Sequence, residues 1–343
     1  MISFESDYNN GAHPHVLQYL LDTNDSQSAS YGYDEWSESA RIKIREACRL
    51  ENSGIYFLVG GTQTNATVID SLLSQYEGVV SVDTGHINVH ESGAIEASGH
   101  KVITLSSHEG KMHAEDLMTL LKKFHADPTC EHMVWPGMVY ITFPTELGTI
   151  YKSFEIEEIQ NICKQYNIPL FVDGARLGYG LMSDECDFDL PWLARRCDVF
   201  YIGGTKIGAL CGEAVVFTNN NVPKHFFSIV KQHGALLAKS RLVGVQFDAL
   251  FTDNLYFNIS RHAIDMAMCM RKIFSNAGFT LKDSPTNQQF VVLTNKQMEH
   301  LAQYVAFETW EPIDENNTLC RFVTNWATKE SDLETLKNAI SSI

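Results

Sequence analysis

The chain has 343 residues, 44% of them hydrophobic, and a formal net charge of −16 at pH 7. That length predicts one large and one smaller domain with a substantial buried core. The acidic balance argues against nucleic acid or an anionic membrane as partner, because both need a basic face. No apolar run reaches the ~18–20 residues of a membrane-spanning helix. The opening MISFESDYNNGAHPH lacks the basic region and apolar stretch of a signal peptide. Eight cysteines form no CxxC pair, so reduced thiols and a cytoplasmic protein are expected.

From about residue 40 to 220, strand-like and helical runs alternate. IYFLV (55–59) leads into a Gly-rich turn and NATVIDSLLSQY; VVSVD (79–83) leads into a His-rich segment. KVITL (101–105) precedes AEDLMTLLKKFH, and MVYITF (138–143) precedes FEIEEIQNICKQY. In the latter, Ile156, Ile159 and Ile162 fall on one helical face. IPLFVDGA (168–175) and DVFYIGG (198–204) are continuous apolar strands ending in glycine. Such strands, separated by helices, predict a mainly parallel sheet in an α/β domain. After about residue 245 the pattern changes. SRHAIDMAMCMRKIFSNAG predicts a long helix, and QQFVVLTN and RFVTNWA predict strands, each followed by a helix. Ser331 and Glu334 predict a capping box for the last one. The expected division is a large domain over 1–250 and a small α+β domain over 251–343.

Ligands of open parallel sheets gather at the carboxyl ends of the strands, where three polar clusters fall. In VGGTQTN (59–65), Gly60 and Gly61 permit close backbone approach, and Thr62 adds a hydroxyl before a helix N-terminus. This suits a phosphate, although a tight turn without ligand reads the same. In FVDGAR (171–176), Asp173 ends an apolar strand and needs a cation or strong donors; a structural pair with Arg176 is the plain alternative. In VFYIGGTK, the strand delivers Lys206 to the same sheet edge. A desolvated lysine becomes a nucleophilic amine, whereas a snorkelling surface lysine is the alternative. Together the three clusters match the needs of pyridoxal 5′-phosphate: a lysine for its aldehyde, a carboxylate for its pyridine nitrogen and a helix N-terminus for its phosphate.

The segment HINVHESGAIEASGH (86–100) offers His86, His90 and Glu91 as metal-ligand material. H-x-x-x-H-E is not the H-E-x-x-H of zinc proteases and lacks a third ligand, so no metal is expected. His86 is instead expected over the pyridine ring, as a titratable group near the reacting bonds.

These segments resemble the threonine aldolases, grouped with the aromatic amino-acid β-eliminating lyases. The resemblance runs through ESDYNNGAHP, YGYDE (31–35), GGTQTN, HINVHESGAI, VDGARLG, GGTKIGALCGE and RFVTNWATKESDLE. It implies the fold-type I architecture of the aspartate aminotransferase superfamily, a PLP-dependent transferase-like α/β fold. That fold has a mainly parallel seven-stranded sheet and a small C-terminal α+β domain. By the same resemblance Lys206 is the Schiff-base lysine, and Asp173 the partner of the ring nitrogen. Ala175 packs opposite His86, and Gly61, Thr62, Thr205 and Arg241 contribute to cofactor binding. Arg241 reaches a phosphate across a subunit boundary. Ser6, Arg176 and Arg321 bind the substrate carboxylate, and Tyr33 lies in a nearby loop. The chain departs from the family in carrying Glu146, in ITFPTELGTIY, near a position where many members have a second histidine. Thr205 also replaces the usual serine before the lysine. The implied activity is cleavage of L-threonine or L-allo-threonine to glycine and an aldehyde in a homodimer or homotetramer, with His86 or Glu146 as base. A β-eliminating amino-acid lyase is the alternative on the same scaffold. A cofactor-binding protein without turnover and a metallohydrolase using His86 and His90 are the rivals from other classes.

Overall fold

The computed structural model describes residues 1–343. β1 (Ile2–Ser3) opens the chain. The main sheet comprises β2 (Gly54–Leu58), β3 (Glu77–Val82), β4 (Val102–Leu105), β5 (Trp135–Thr142), β6 (Leu170–Asp173), β7 (Val199–Gly203) and β8 (Glu213–Phe217). Their order is β2-β8-β7-β6-β5-β3-β4. β3 to β7 pair in parallel, and β8 is antiparallel to both its neighbours. The mainly parallel seven-stranded sheet expected from the sequence is present.

The strands read as continuous apolar runs because both sheet faces are covered. Val79, Met138, Phe171, Val199 and Val215 pack on one face with Val68 and Ile69 of the helix Gly61–Leu72. Val80, Val139, Val172, Phe200 and Val216 pack on the other, among helices that include Ser153–Tyr166 with its Ile156, Ile159 and Ile162. No helix is long and apolar enough to cross a membrane.

The long helix Leu255–Asn276 joins two cores: Tyr256, Ile259 and Ala263 pack in the first, Met266, Met270 and Phe274 in a smaller C-terminal one. Over that smaller core lie β9 (Gln288–Thr294), β10 (Val305–Ala306), β11 (Glu308–Pro312) and β12 (Asn317–Val323). β11, β12 and β9 form an antiparallel sheet in that order, and β1 pairs with β10. β11 escapes sequence reading because it is short, mostly exposed and ends in proline. The capping expectation is corrected. The last helix begins at Glu330, and Asp332 accepts a 2.9 Å hydrogen bond from the Lys329 N–H, which leaves Ser331 and Glu334 inside the helix.

The N-terminal arm is tied to the small sheet. Phe4 is buried in the C-terminal core, donates to the Ala306 carbonyl at 2.8 Å and accepts from the Val323 N–H at 2.8 Å. This brings residues 6 and 7 to the carboxyl end of the main sheet.

At that end β6 and β7 touch backbone to backbone. A Cβ at Gly174 would collide with the Tyr201 carbonyl, and one at Gly203 with the Ala175 carbonyl. Gly174→Ala is therefore expected to cost about 1–3 kcal/mol of stability. A lowered denaturant midpoint is the expected reading; an unchanged midpoint contradicts the contact.

Candidate active site

Three neighbouring strands meet at Asp173. Tyr140 pairs with Phe171 and Thr142 with Asp173, while Val199 also pairs with Phe171. Because side chains two apart share a sheet face, Tyr140, Asp173 and Tyr201 project on one side. The Tyr140 hydroxyl donates to Asp173 Oδ2 at 2.6 Å and the Tyr201 hydroxyl to Oδ1 at 2.5 Å. Asn65 Nδ2 adds a donor at 2.9 Å and the Ala175 N–H another at 3.0 Å. Burial alone would push the carboxyl pKa up. The His86 charge and these donors outweigh it and hold Asp173 below its ordinary value. Both phenols are pushed well up by burial and by the Asp173 charge, so they stay neutral donors.

Arg176 does not pair with Asp173, contrary to the plain reading of FVDGAR. Its Nε and NH2 bind Asp7 at 2.7 and 3.1 Å, and Asn287 Nδ2 donates to Asp7 at 2.9 Å. Asp7 therefore titrates below its ordinary value: burial would raise its pKa, but Arg176 and Lys206 lower it. The other edge of the buried guanidinium faces Glu146, with NH1 3.9 Å from one of its oxygens. Arg321 binds Gln288 Oε1 at 2.7 Å, pairs with Glu308 and lies 4.7 Å from the Trp310 ring centroid. Its Nε is buried without a partner. An unpaired buried N–H is costly, and a ligand carboxylate would satisfy it.

His86 starts a one-turn helix, and its Nδ1 lies 2.7 Å from Glu91 Oε1. A carboxylate only accepts, so Nδ1 carries the proton. Asn65 Nδ2 also donates to that Glu91 oxygen at 2.7 Å, linking His86 to Asp173 through one amide. Burial disfavours the imidazolium, but the Glu91 hydrogen bond and the charges of Glu146 and Asp173 raise the pKa above its ordinary value. His90 turns toward Trp310, 6.2 Å between ring centroids.

Lys206 follows β7 and is partly exposed. Burial and the neighbouring Arg176 charge lower its pKa, while Asp7, Glu146 and Asp173 act in the opposite direction. Its backbone carbonyl accepts from the Tyr179 hydroxyl at 2.6 Å. The Thr205 hydroxyl donates to Glu213 Oε1 at 2.7 Å.

The helix Gly61–Leu72 has no side-chain cap, and Gly60 before it is extended with nothing within 4 Å of a built Cβ. Thr62 is exposed beside it, and the Tyr201 hydroxyl lies 3.3 Å from a Cβ built on Gly61.

The structure thus gathers Lys206, Asp173, His86, Arg176 and Glu146, whose charges act on one another. Arg321 is coupled to the same group: burial and the Arg176 charge lower its pKa, while Glu308 and Asp7 act in the opposite direction. Ser6 is next to Asp7 and donates to Asn9 at 2.6 Å. Tyr33 is exposed beside Phe227. Arg241 binds the Thr23 and Ser26 carbonyls, lies over the Trp36 ring and lines a surface hollow of ≈ 780 Å³. Neither Tyr33 nor Arg241 contacts the cluster within its own chain. Asp7, Asn65, Tyr140 and Tyr201 were not picked out as site residues by sequence reasoning, and Glu91 was considered only as metal-ligand material. The tyrosines sit inside apolar strands, where only the strand order shows that they flank Asp173.

The donor set fits pyridoxal 5′-phosphate. A lysine of lowered proton affinity, a carboxylate held ionised and an uncapped helix N-terminus lie at one sheet edge, and the Arg321 Nε waits for an acceptor.

Comparison with known proteins agrees. The profile of the β-eliminating lyase family matches residues 6–307. A threonine aldolase structure from Leishmania major superposes with a TM-score of 0.96 at 37% identity, over 100% of this chain and 99% of that one. A low-specificity L-threonine aldolase of Pseudomonas aeruginosa is 27% identical over 99% of this chain and 96% of its own. A Pseudomonas sp. protein of the same description is 29% identical over 80% of this chain and 78% of its own. Likeness to a histidinol-phosphate aminotransferase of Clostridium acetobutylicum, TM-score 0.74 at 13% identity, shows the fold alone: the fold-type I architecture. The chain belongs to the β-eliminating lyase family and, within it, to the threonine aldolases.

Proposed function

We propose that the chain, with pyridoxal 5′-phosphate, cleaves L-threonine and L-allo-threonine to glycine and acetaldehyde. The observation that carries this reading is that the charges of Arg176, Asp7, Glu146 and Asp173 all act on the Lys206 amine, beside a carboxylate that four donors keep ionised. When bound, the cofactor supplies an aldehyde for that amine and a ring that accepts the electron pair of the broken Cα–Cβ bond.

Each residue has a role in this proposal. Lys206 holds the cofactor, and the uncapped N–H groups at Gly61 and Thr62 take its phosphate. Asp173, kept ionised by its four donors, holds a proton at the ring nitrogen. Ala175 and His86 would flank the cofactor ring. Because the Glu91 contact favours imidazolium, His86 acts as a donor. The base for the β-hydroxyl proton is then Glu146, which lies beside Arg176. The Glu146-facing edge of Arg176, the unpaired Nε of Arg321 and, once its hydroxyl turns from Asn9, Ser6 grip the substrate carboxylate. Thr205 supports Lys206 through Glu213. Fixing the carboxylate on two guanidinium groups orients the bond to be broken. Arg241, remote from its own cluster, completes the phosphate site of a second copy, so the working unit is a homodimer or a larger assembly. Its eight unpaired cysteines support a cytoplasmic location.

The test is product analysis with L-threonine. Glycine and acetaldehyde support the aldolase; ammonia and a keto acid without aldehyde identify a β-eliminating lyase instead. Lys206→Ala is expected to abolish turnover. Glu146→Gln is expected to lower kcat about 10²–10⁴-fold with little change in KM. A loss of that size for His86→Asn, with Glu146→Gln near the parent rate, would reverse the assignment of the base.

The acid side of stability is also set here. Asp7 and Asp173 titrate below their ordinary value of 3.8, so the stability they contribute is complete above that pH and is lost as pH falls through their lowered values. Replacing Tyr140 and Tyr201 by phenylalanine raises the proton affinity of Asp173 and is expected to move the acid-unfolding midpoint to higher pH. A double variant that unfolds at the parent's midpoint contradicts the role given to the two hydroxyls.

A further inference from the structure

The geometry points to Glu213 as a positioning residue of the reaction: its buried carboxyl group closes the 204–212 loop onto the end of β7 and so sets the stance of the Lys206 amine. The inference rests on the aldolase reading in one respect, that Lys206 is the reactive amine.

Glu213 begins β8 directly opposite Gly203 and is 3% exposed. Its Oε2 accepts from the Gly204 N–H at 3.0 Å and its Oε1 from the Thr205 hydroxyl at 2.7 Å. The Thr205 oxygen in turn accepts from the Gly212 N–H at 3.0 Å. The Gly212 carbonyl takes the N–H groups of Gly204 and Thr205 at 3.0 and 3.1 Å. The loop is therefore knotted at its base, and Lys206 is the next residue out. From the other side, Tyr179 fixes the Lys206 carbonyl. With Thr205 and Gly204 both engaged by Glu213, the carboxyl group serves the loop.

The two donors reach two different oxygens, and an amide, with a single acceptor oxygen, could take only one of them, so the loop calls for an acid there. It has two donors, against four on Asp173. Burial accordingly pushes its pKa up to about 7, against the pull of Thr205, Gly204 and Lys206. The titratable groups around it are Lys206 on the loop, Asp173 on β6, Tyr201 on β7, Cys211 on the loop and Tyr256 on the long helix. Lys206 is the cation among them. Ionised Glu213 strengthens the hold of Lys206 on its proton, and neutral Glu213 weakens it; the two groups titrate as a coupled pair. Glu213 thereby tunes, near neutral pH, the amine of the residue that follows the two its hydrogen bonds hold in place.

Competitive acetylation with acetic anhydride tests this on the folded protein stripped of cofactor. The Lys206 peptide is quantified by mass spectrometry against the other lysines from pH 6 to 10. Glu213→Gln removes the charge together with one of the two accepting oxygens and is expected to release the Lys206 proton about one pH unit earlier, giving up to ~10-fold more labelling near neutrality. A Lys206 profile that overlays the parent's overturns the inference. Should Glu213→Gln fail to fold, Thr205→Val withdraws one donor and keeps the acid. Glu213 then stays neutral to higher pH, and Lys206 labelling just above pH 7 rises over the parent's; an unchanged profile again overturns the inference. Because labelling needs neither cofactor nor turnover, failure of the aldolase reading would appear separately, as a parent protein that forms no glycine from L-threonine.

Discussion

A buried carboxylate held charged at the end of β6 is the constraint around which the site is built. An ion in that position is tolerated only if donors replace the water it has lost. Asp173 has four: two tyrosine hydroxyls from the flanking strands, one amide from the helix Gly61–Leu72 and one backbone N–H. Each donor comes from a different segment. The strand order, the register and the placement of the helix must therefore all be right before the charge can exist. The same amide reaches Glu91 and, through it, His86, so the imidazole expected over the cofactor ring and the carboxylate expected to partner its nitrogen are set by one hydrogen-bonded chain.

The second ionic centre, Asp7 with Arg176, couples the two ends of the molecule. Asp7 belongs to an arm that is anchored in the C-terminal core by Phe4, and Asn287 from just before β9 also holds it. A buried pair of this kind adds little to stability compared with an apolar replacement, but it fixes geometry strongly. Here it commits one edge of the Arg176 guanidinium and leaves the other for a ligand. The neighbouring Arg321 comes from β12, so the expected carboxylate grip spans the main sheet and the small one.

Much of this was legible in the sequence. Apolar runs without alternation gave the two-sided sheet, and glycines after β6 and β7 marked strand ends whose backbones touch. Lys206, Asp173 and the uncapped helix stood out because each is chemically out of place in an apolar setting. The groups that satisfy them were not legible. Tyr140 and Tyr201 look like ordinary core aromatics, and only adjacency in the sheet turns their hydroxyls toward Asp173. Asp7 sits in a polar loop that gives no hint of its partner 169 residues away. Glu213 reads as the first residue of an apolar strand. β11 and the start of the last helix were missed for local reasons: an exposed strand ending in proline, and an aspartate at the third helical position that caps in place of the expected serine. Arg241 is a different case, since nothing within a single chain connects it to the cluster.

The account depends on Lys206 being the residue that carries the cofactor. Loading the protein with pyridoxal 5′-phosphate, reducing it with sodium borohydride and mapping the pyridoxyl mass by peptide sequencing addresses this directly. The label is predicted on Lys206 alone, with loss of the yellow colour. A label on another lysine, or a protein that takes up no label, would contradict the site as described.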